Sequence, residues 1–231
     1  MKDVMVLILC IVLMVVVAVG LSTCQAMIDK SNWNNNVLYI SNCLIEANDS
    51  ISGKYTITDN TQLIANGAFK NCQFLTSISL PNNIPSIGAH TFNECKSLGS
   101  ITIPNSVISI GSYAFGNCTG LTSAFIGNGV TSIGDQAFSF CDSLTSVTIG
   151  NGVTSSGDQA FSSCDSLTSI TIPDGVMSIG AAAFDNCHNL TSITIPDSVT
   201  IIGNYAFEDC SSLTSVTIGE SVTSIGDYAF D

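Results

Sequence analysis

LTSITIPDSVTIIGNYAFEDCSS, Leu190–Ser212, directly follows LTSITIPDGVMSIGAAAFDNCHN, Leu167–Asn189, and the two strings are nearly the same. The offset is 23 residues, and it persists along the chain. Phe stands at 69, 92, 115, 138, 161, 184, 207 and 230, and Cys at 72, 95, 118, 141, 164, 187 and 210. Leu keeps the same step from 75 to 213, and Gly from 88 to 226. Four residue types in one register mark an array of identical structural units, each stacking on the next.

A fixed period of this length makes each unit one lap of a solenoid, with equivalent side chains piled in columns. Alternation in TSITIP gives a half-buried strand, and strands of successive laps pair in parallel. In the quoted unit Leu190, Ile193, Ile195, Val199, Ile202, Ala206, Phe207 and Cys210 face inward. Gly203 marks a turn, and the segment from Ala206 to Cys210 reads as short helical or irregular. The fold class is therefore a repeat solenoid, right-handed and mainly β, of about eight coils and roughly 35–40 Å long at strand spacing.

Outside the array the chain changes character. Val4–Leu21 is an uncharged apolar run between Lys2 and Asp3 on one side and small residues on the other. It is longer than an ordinary secretory core (~7–15 residues) and shorter than the ~20 residues of a spanning helix. Residues 1–26 read as a signal peptide or membrane anchor, and Leu21–Cys24 (LSTC) has the look of a lipobox; each of these exports the rest of the chain. Residues 27–51 lie out of register and read as the N-terminal cap, which the open end of a solenoid core needs. The leucine-rich array occupies 52–231. Its first unit, Ser52–Phe74, is degenerate, and its last stops at Asp231, short of a full unit, as in a fragment of a longer protein.

Composition narrows the function classes. The chain has 231 residues, 45% hydrophobic and 10% charged, enough apolar surface for a continuous core. Its five cationic residues are all Lys, its acids number 18, and the net charge is −13. No Lys or Arg occurs after Lys96. Such a surface repels phosphate, which excludes nucleic acid as a partner; it also repels anionic lipid, so membrane contact falls to the N-terminal segment alone.

The unit LTSITIPDSVTxIGxYAFxxCxS resembles the BspA-like (Treponema-type) leucine-rich repeat family, over Ser52–Asp231. It lacks the Asn ladder of the commonest leucine-rich repeats; the ninth position holds Asn83, Ser106, Gly129, Gly152, Gly175, Ser198 and Ser221. The resemblance implies an exported surface or secreted protein that binds host proteins or cells. The family motif carries no catalytic residue, and none is transferred.

Other candidate groups have plain structural roles open to them. The Cys column reads as free core thiols: stacked Cβ vectors run parallel, which suits neither a disulfide nor a tetrahedral zinc site. Stacked acids (Asp135 and Asp158, Asp142 and Asp165, Asp174 with Asp197 and Glu220) read as screened surface charge, with calcium as the competing reading. His90 and His188 fall at different phases of the repeat. No nucleophile–base arrangement, metal site or cofactor motif is present, so no enzyme is expected.

The outward strand positions are the candidate ligand-binding face: Ser100, Thr102, Ser123, Phe125, Ser146, Thr148, Ser169, Thr171, Ser192 and Thr194. Three readings stay open for this hydroxyl ladder: ordinary β-propensity, a face for an extracellular protein or glycan with Phe125 as its aromatic anchor, and an ice-binding lattice. On the first reading the protein is a structural surface antigen with no specific ligand. Asn48, Asn117 and Asn189 are N-glycosylation sequons. Ser156 and Ala124 stand where other units carry Ile or Val, so the core is expected to be underfilled at both.

Overall fold

A computed structural model describes residues 33–231. The signal or anchor expected over residues 1–26 lies outside them. Among the described residues no helix is long and apolar enough to cross a membrane.

A lap has three segments: a long strand, absent from the lap that begins at Leu167, then a short strand and a turn segment. The long strands include Ser100–Ile103, Ser123–Ile126, Ser146–Ile149, Ser192–Ile195 and Ser215–Ile218. The short strands run from Ser86–Ile87 to Ser224–Ile225 and pair in parallel into one seven-stranded sheet. Registers are offset by one repeat, as in Ser123↔Ser146 and Ser132↔Ser155. Ahead of the array, Trp33–Asn34, Val37–Ile40 and Cys43–Ala47 form an antiparallel meander that pairs in parallel with Leu63–Ile64 of the first lap. Val37, Leu44 and Ala47 join its core to that of the solenoid.

The inward set is buried as the periodicity requires. Leu190, Ile193, Ile195, Val199, Ile202, Ala206, Phe207 and Cys210 all belong to one hydrophobic cluster that runs the length of the array. The Phe rings stack face to face, offset, with centroids 5.0–5.5 Å apart from Phe69 to Phe230. Parallel-displaced pairs of this kind contribute ~0.5–1.5 kcal/mol each beyond their buried area.

The segment after the Gly turn is not helical; among the described residues there are only strands and turns. The backbone explains this. Tyr113, Gln136, Gln159, Ala182 and Tyr205, two residues before each Phe, have φ between 51° and 60°, and Asn117, Phe140, Ser163, Asn186 and Asp209, two after, lie between 53° and 59°. Left-handed residues so closely spaced prevent a right-handed helical turn. Alternate N–H groups then leave the lap, Phe115 N donating to Ala137 O at 2.7 Å and Phe138 N to Ala160 O at 2.8 Å, while those between close short turns within it, as Gly116 N does on Tyr113 O at 3.1 Å. The turn segment is thus a third hydrogen-bonded wall.

The thiols take part in that wall. Each column Cys from 95 to 210 donates its S–H to the carbonyl of the Phe one lap back, at 3.1–3.3 Å. A Cys here is small enough to bury and still able to donate weakly. All seven are free and buried.

Glycine at the lap corners allows the coils to close. A Cβ on Gly203 would lie 2.6 Å from Ala181 N, inside the preceding lap. The same holds at the end of the long strand, where a Cβ on Gly150 would lie 2.6 Å from the Gly127 carbonyl carbon.

Candidate ligand-binding face

The long strands carry the candidate residues in two rows. Alternate side chains of a strand point to opposite faces, so burial of Ile101, Ile103, Ile193 and Ile195 forces their neighbours outward. Ser100, Thr102, Ser146, Thr148, Ser169, Thr171, Ser192 and Thr194 are exposed, and Ser123 is half-buried. Ser100↔Ser123↔Ser146 and Thr102↔Phe125↔Thr148 are Cα partners in a three-stranded sheet. Ser192↔Ser215 and Thr194↔Thr217 pair in a separate two-stranded sheet. Phe125, 46% exposed, is the aromatic residue of the first group.

The two groups are not one ladder. Residues 169–172 form no strand and touch the next lap through the single bridge Ser169↔Ser192. On this side lies a groove of about 930 Å³, lined by Ser169, Thr171, Ser192, Thr194 and Thr217. Asp174, Asp197 and Glu220 line it as well. Sequence reasoning placed the hydroxyls on this face but did not foresee that these acids border the same depression; their common phase in the repeat was the available signal.

Several stacked acids have work within the fold. Asp135 Oδ1 accepts the N–H of Asp158 at 3.0 Å, Asp158 Oδ1 that of Ala181 at 2.8 Å, and Asp197 Oδ1 that of Glu220 at 2.9 Å. Asn105, Asn128 and Asn204 do the same at equivalent corners. These Asp residues are corner ties between laps. Among the described residues no group of three or more His, Cys, Asp or Glu is arranged to hold a metal ion. Asp142 differs: burial and the Asp165 carboxylate raise its pKa above the ordinary value.

His90 stacks on Tyr113, rings 4.9 Å apart and 11° from parallel, while His188 Nδ1 lies 3.1 Å from Asp165 Oδ1. The two histidines belong to different columns. Of the sequon residues, Asn48 is exposed and its Oδ1 accepts from Ser50 N and Oγ. Asn117 is half-buried with φ of 59°. Asn189 is exposed, with Nδ2 donating to Asp165 O at 2.7 Å.

A parallel solenoid whose laps open on a Leu-x-x-Ile-x-Ile strand is a leucine-rich repeat protein. Within that class the chain belongs to the family with the BspA type leucine-rich repeat region, whose profile matches residues 40–166 and 131–231 in six copies. Among solved structures it is similar to a leucine-rich repeat protein of T. pallidum, at 27% identity and a TM-score of 0.64, with 80% of this chain and 77% of that one covered. A leucine-rich cell surface protein of Faecalibacterium prausnitzii matches at 26% identity and a TM-score of 0.52, covering 73% of this chain and 60% of that one. A leucine-rich repeat protein of Eubacterium ventriosum shares the fold at 23% identity and a TM-score of 0.59, over 86% of this chain and 50% of its own. This chain thus spans 60% and 50% of the last two. No curated protein matches it.

Proposed function

We propose that the chain is an exported, surface-displayed or secreted binding module whose long-strand face engages an extracellular protein or glycan. The observation that carries this is the convergence on one face of Ser and Thr rows, the half-exposed Phe125 ring and a groove of about 930 Å³. Hydroxyls on a rigid sheet offer donors and acceptors whose spacing the fold holds constant, and an aromatic ring among them supplies an anchor. Display outside the cell is supported by the apolar run Val4–Leu21 and by the F. prausnitzii relative, which is a cell surface protein. No residue is assigned a catalytic role.

The test is capture of immobilised extracellular matrix proteins and glycans by the purified protein. It compares the parent with a variant carrying Phe125→Ala, Thr171→Glu and Thr194→Glu. Loss of capture by the variant, with melting unchanged, supports the face. Equal capture by both removes it, and no capture by either favours a structural surface antigen without a specific ligand.

A further inference from the structure

From residue 98 onward the long-strand side is interrupted where a unit ends its strand in proline; ahead of that, Phe74–Ser79 pairs with Ser52–Thr56 of the degenerate first lap although Pro81 follows it. Over the later stretch, laps whose strand is followed by Gly127, Gly150 or Gly219 stay laddered to the lap before: Ser123–Ile126 to Ser100–Ile103, Ser146–Ile149 to Ser123–Ile126, and Ser215–Ile218 to Ser192–Ile195. Laps followed by Pro104, Pro173 or Pro196 are not; the first two have no paired strand upstream and the third only one bridge. Gly127 N donates to Ile103 O at 3.0 Å and Gly219 N to Ile195 O at 2.9 Å. Proline has no N–H to give, and it carries a Cβ where the glycine corners have no room for one.

The break at Pro173 goes furthest. No backbone hydrogen bond joins residues 145–150 to 168–173. The Thr column that ties other laps also skips this boundary: Thr145 Oγ1 bonds to Thr122 O and Thr191 Oγ1 to Thr168 O. The Phe161–Phe184 ring separation, 5.5 Å, is the largest in the column. A Cβ on Gly129 or Gly152 would fall on the backbone oxygen of Asn105 or Asn128, whereas at Gly175 the nearest atoms stand 3.2 Å off. A small apolar cavity opens here, lined by Ile149, Ser156, Ile172 and Pro173. The other two walls continue across it, through Met177 N to Thr154 O at 2.9 Å and Phe161 N to Ala183 O at 2.8 Å.

We infer that this boundary is a joint: the laps before residue 167 and those after it rock about the short-strand and turn walls, opening and closing the long-strand face at Pro173. The motion changes the angle between the Ser100–Thr148 and Ser169–Thr217 patches, and so the shape presented to anything that touches both. The joint does not depend on that face having a ligand.

Hydrogen exchange on the full chain, followed by mass spectrometry, tests it. Amides of residues 169–172 should exchange on the order of tenfold faster than those of Ser123–Ile126, which is paired on both sides. Equal protection in the two would overturn the joint. Pro173→Gly restores the donor and the close approach, and should bring residues 169–172 to the protection of their neighbours; unchanged exchange in the folded variant would contradict the role of Pro173. The converse, Gly127→Pro, removes the donor to Ile103 O and should create a second fast segment at Ser123–Ile126, and its absence would equally contradict the proposal.

Discussion

Ser156 intercepts a hydrogen bond with its side chain. Gly180 N donates to Ser156 Oγ at 3.3 Å, whereas Gly157 N and Gly203 N donate to the backbone oxygens of Ile133 and Ile179, one lap back, at 2.8 and 3.0 Å. The short-strand ladder narrows to the single pair Ser155↔Ser178 at that point, and the hydroxyl faces a small apolar cavity.

Ser156→Ile should therefore stabilise the fold by about 1 kcal/mol, by filling part of the cavity and returning Gly180 N to a backbone acceptor. The readout is the urea midpoint at unchanged m-value. A lower midpoint would mean that the cavity cannot take the added methyl groups.

Ala182 bears a conformational cost that Gly67, its equivalent in the first lap, avoids. Both are left-handed, at φ 51° and 68°. Ala182→Gly should raise stability by about 0.5–1 kcal/mol, because relief of left-handed strain exceeds the entropy Gly adds to the unfolded chain. A drop in stability would show that the methyl group contributes packing at that corner.

The acid columns make stability depend on pH with a definite sign. Burial and then Asp165 raise the pKa of Asp142; desolvation and then Asp185, Asp209 and Asp231 raise that of Glu208. These groups hold their protons more tightly folded than unfolded, so their ionisation lowers stability as pH rises through the folded pKa values. The urea midpoint should be higher within the ordinary carboxylate range, about pH 4, than near neutrality, and Asp142→Asn should raise the neutral-pH value and flatten the difference. A midpoint that falls steadily from neutral to mildly acidic pH would contradict this.

The thiol column should be chemically silent in the native state. Burial above all pushes Cys72, Cys118 and Cys164 up to about 12 and Cys210 to about 11, and raises Cys95, Cys141 and Cys187 well above the ordinary thiol value. Thiolate is the reactive form. Peptide mapping after treatment with Ellman's reagent at pH ~8 should find these residues unlabelled until denaturant is added. Prompt labelling of the column in the native protein would show that the laps open readily.

Much of this architecture was legible in the sequence because the decisive signals were columns. Phe, Cys, Leu and Gly at constant spacing defined the lap, its inward set and the outward Ser and Thr rows, and the missing Ile at 156 marked the gap that lines the cavity. The features that stayed hidden depend on register in three dimensions. Tyr113 and Gln136 do not advertise a left-handed backbone, since only the degenerate first unit carries a glycine at that phase, Gly67, and the segment consequently read as short helical or irregular. The tie from Asp135 to Asp158 N required knowing that a corner carboxylate meets the next lap's backbone. Pro173 and Gly127 share one phase of the repeat, but only pairing shows that the glycine N–H bonds to the lap before and that no strand pairs upstream at Pro173.

The most direct test of the stacked-lap account is an aromatic NOE spectrum of the protein with its Phe rings isotopically labelled and assigned by single Phe→Leu substitutions. Phe115 and Phe138, centroids 5.0 Å apart, should give a strong inter-ring cross-peak, and Phe115 and Phe161, two laps apart, none. Strong contacts between rings that are not neighbours in the column, or no inter-ring contact at all, would contradict it.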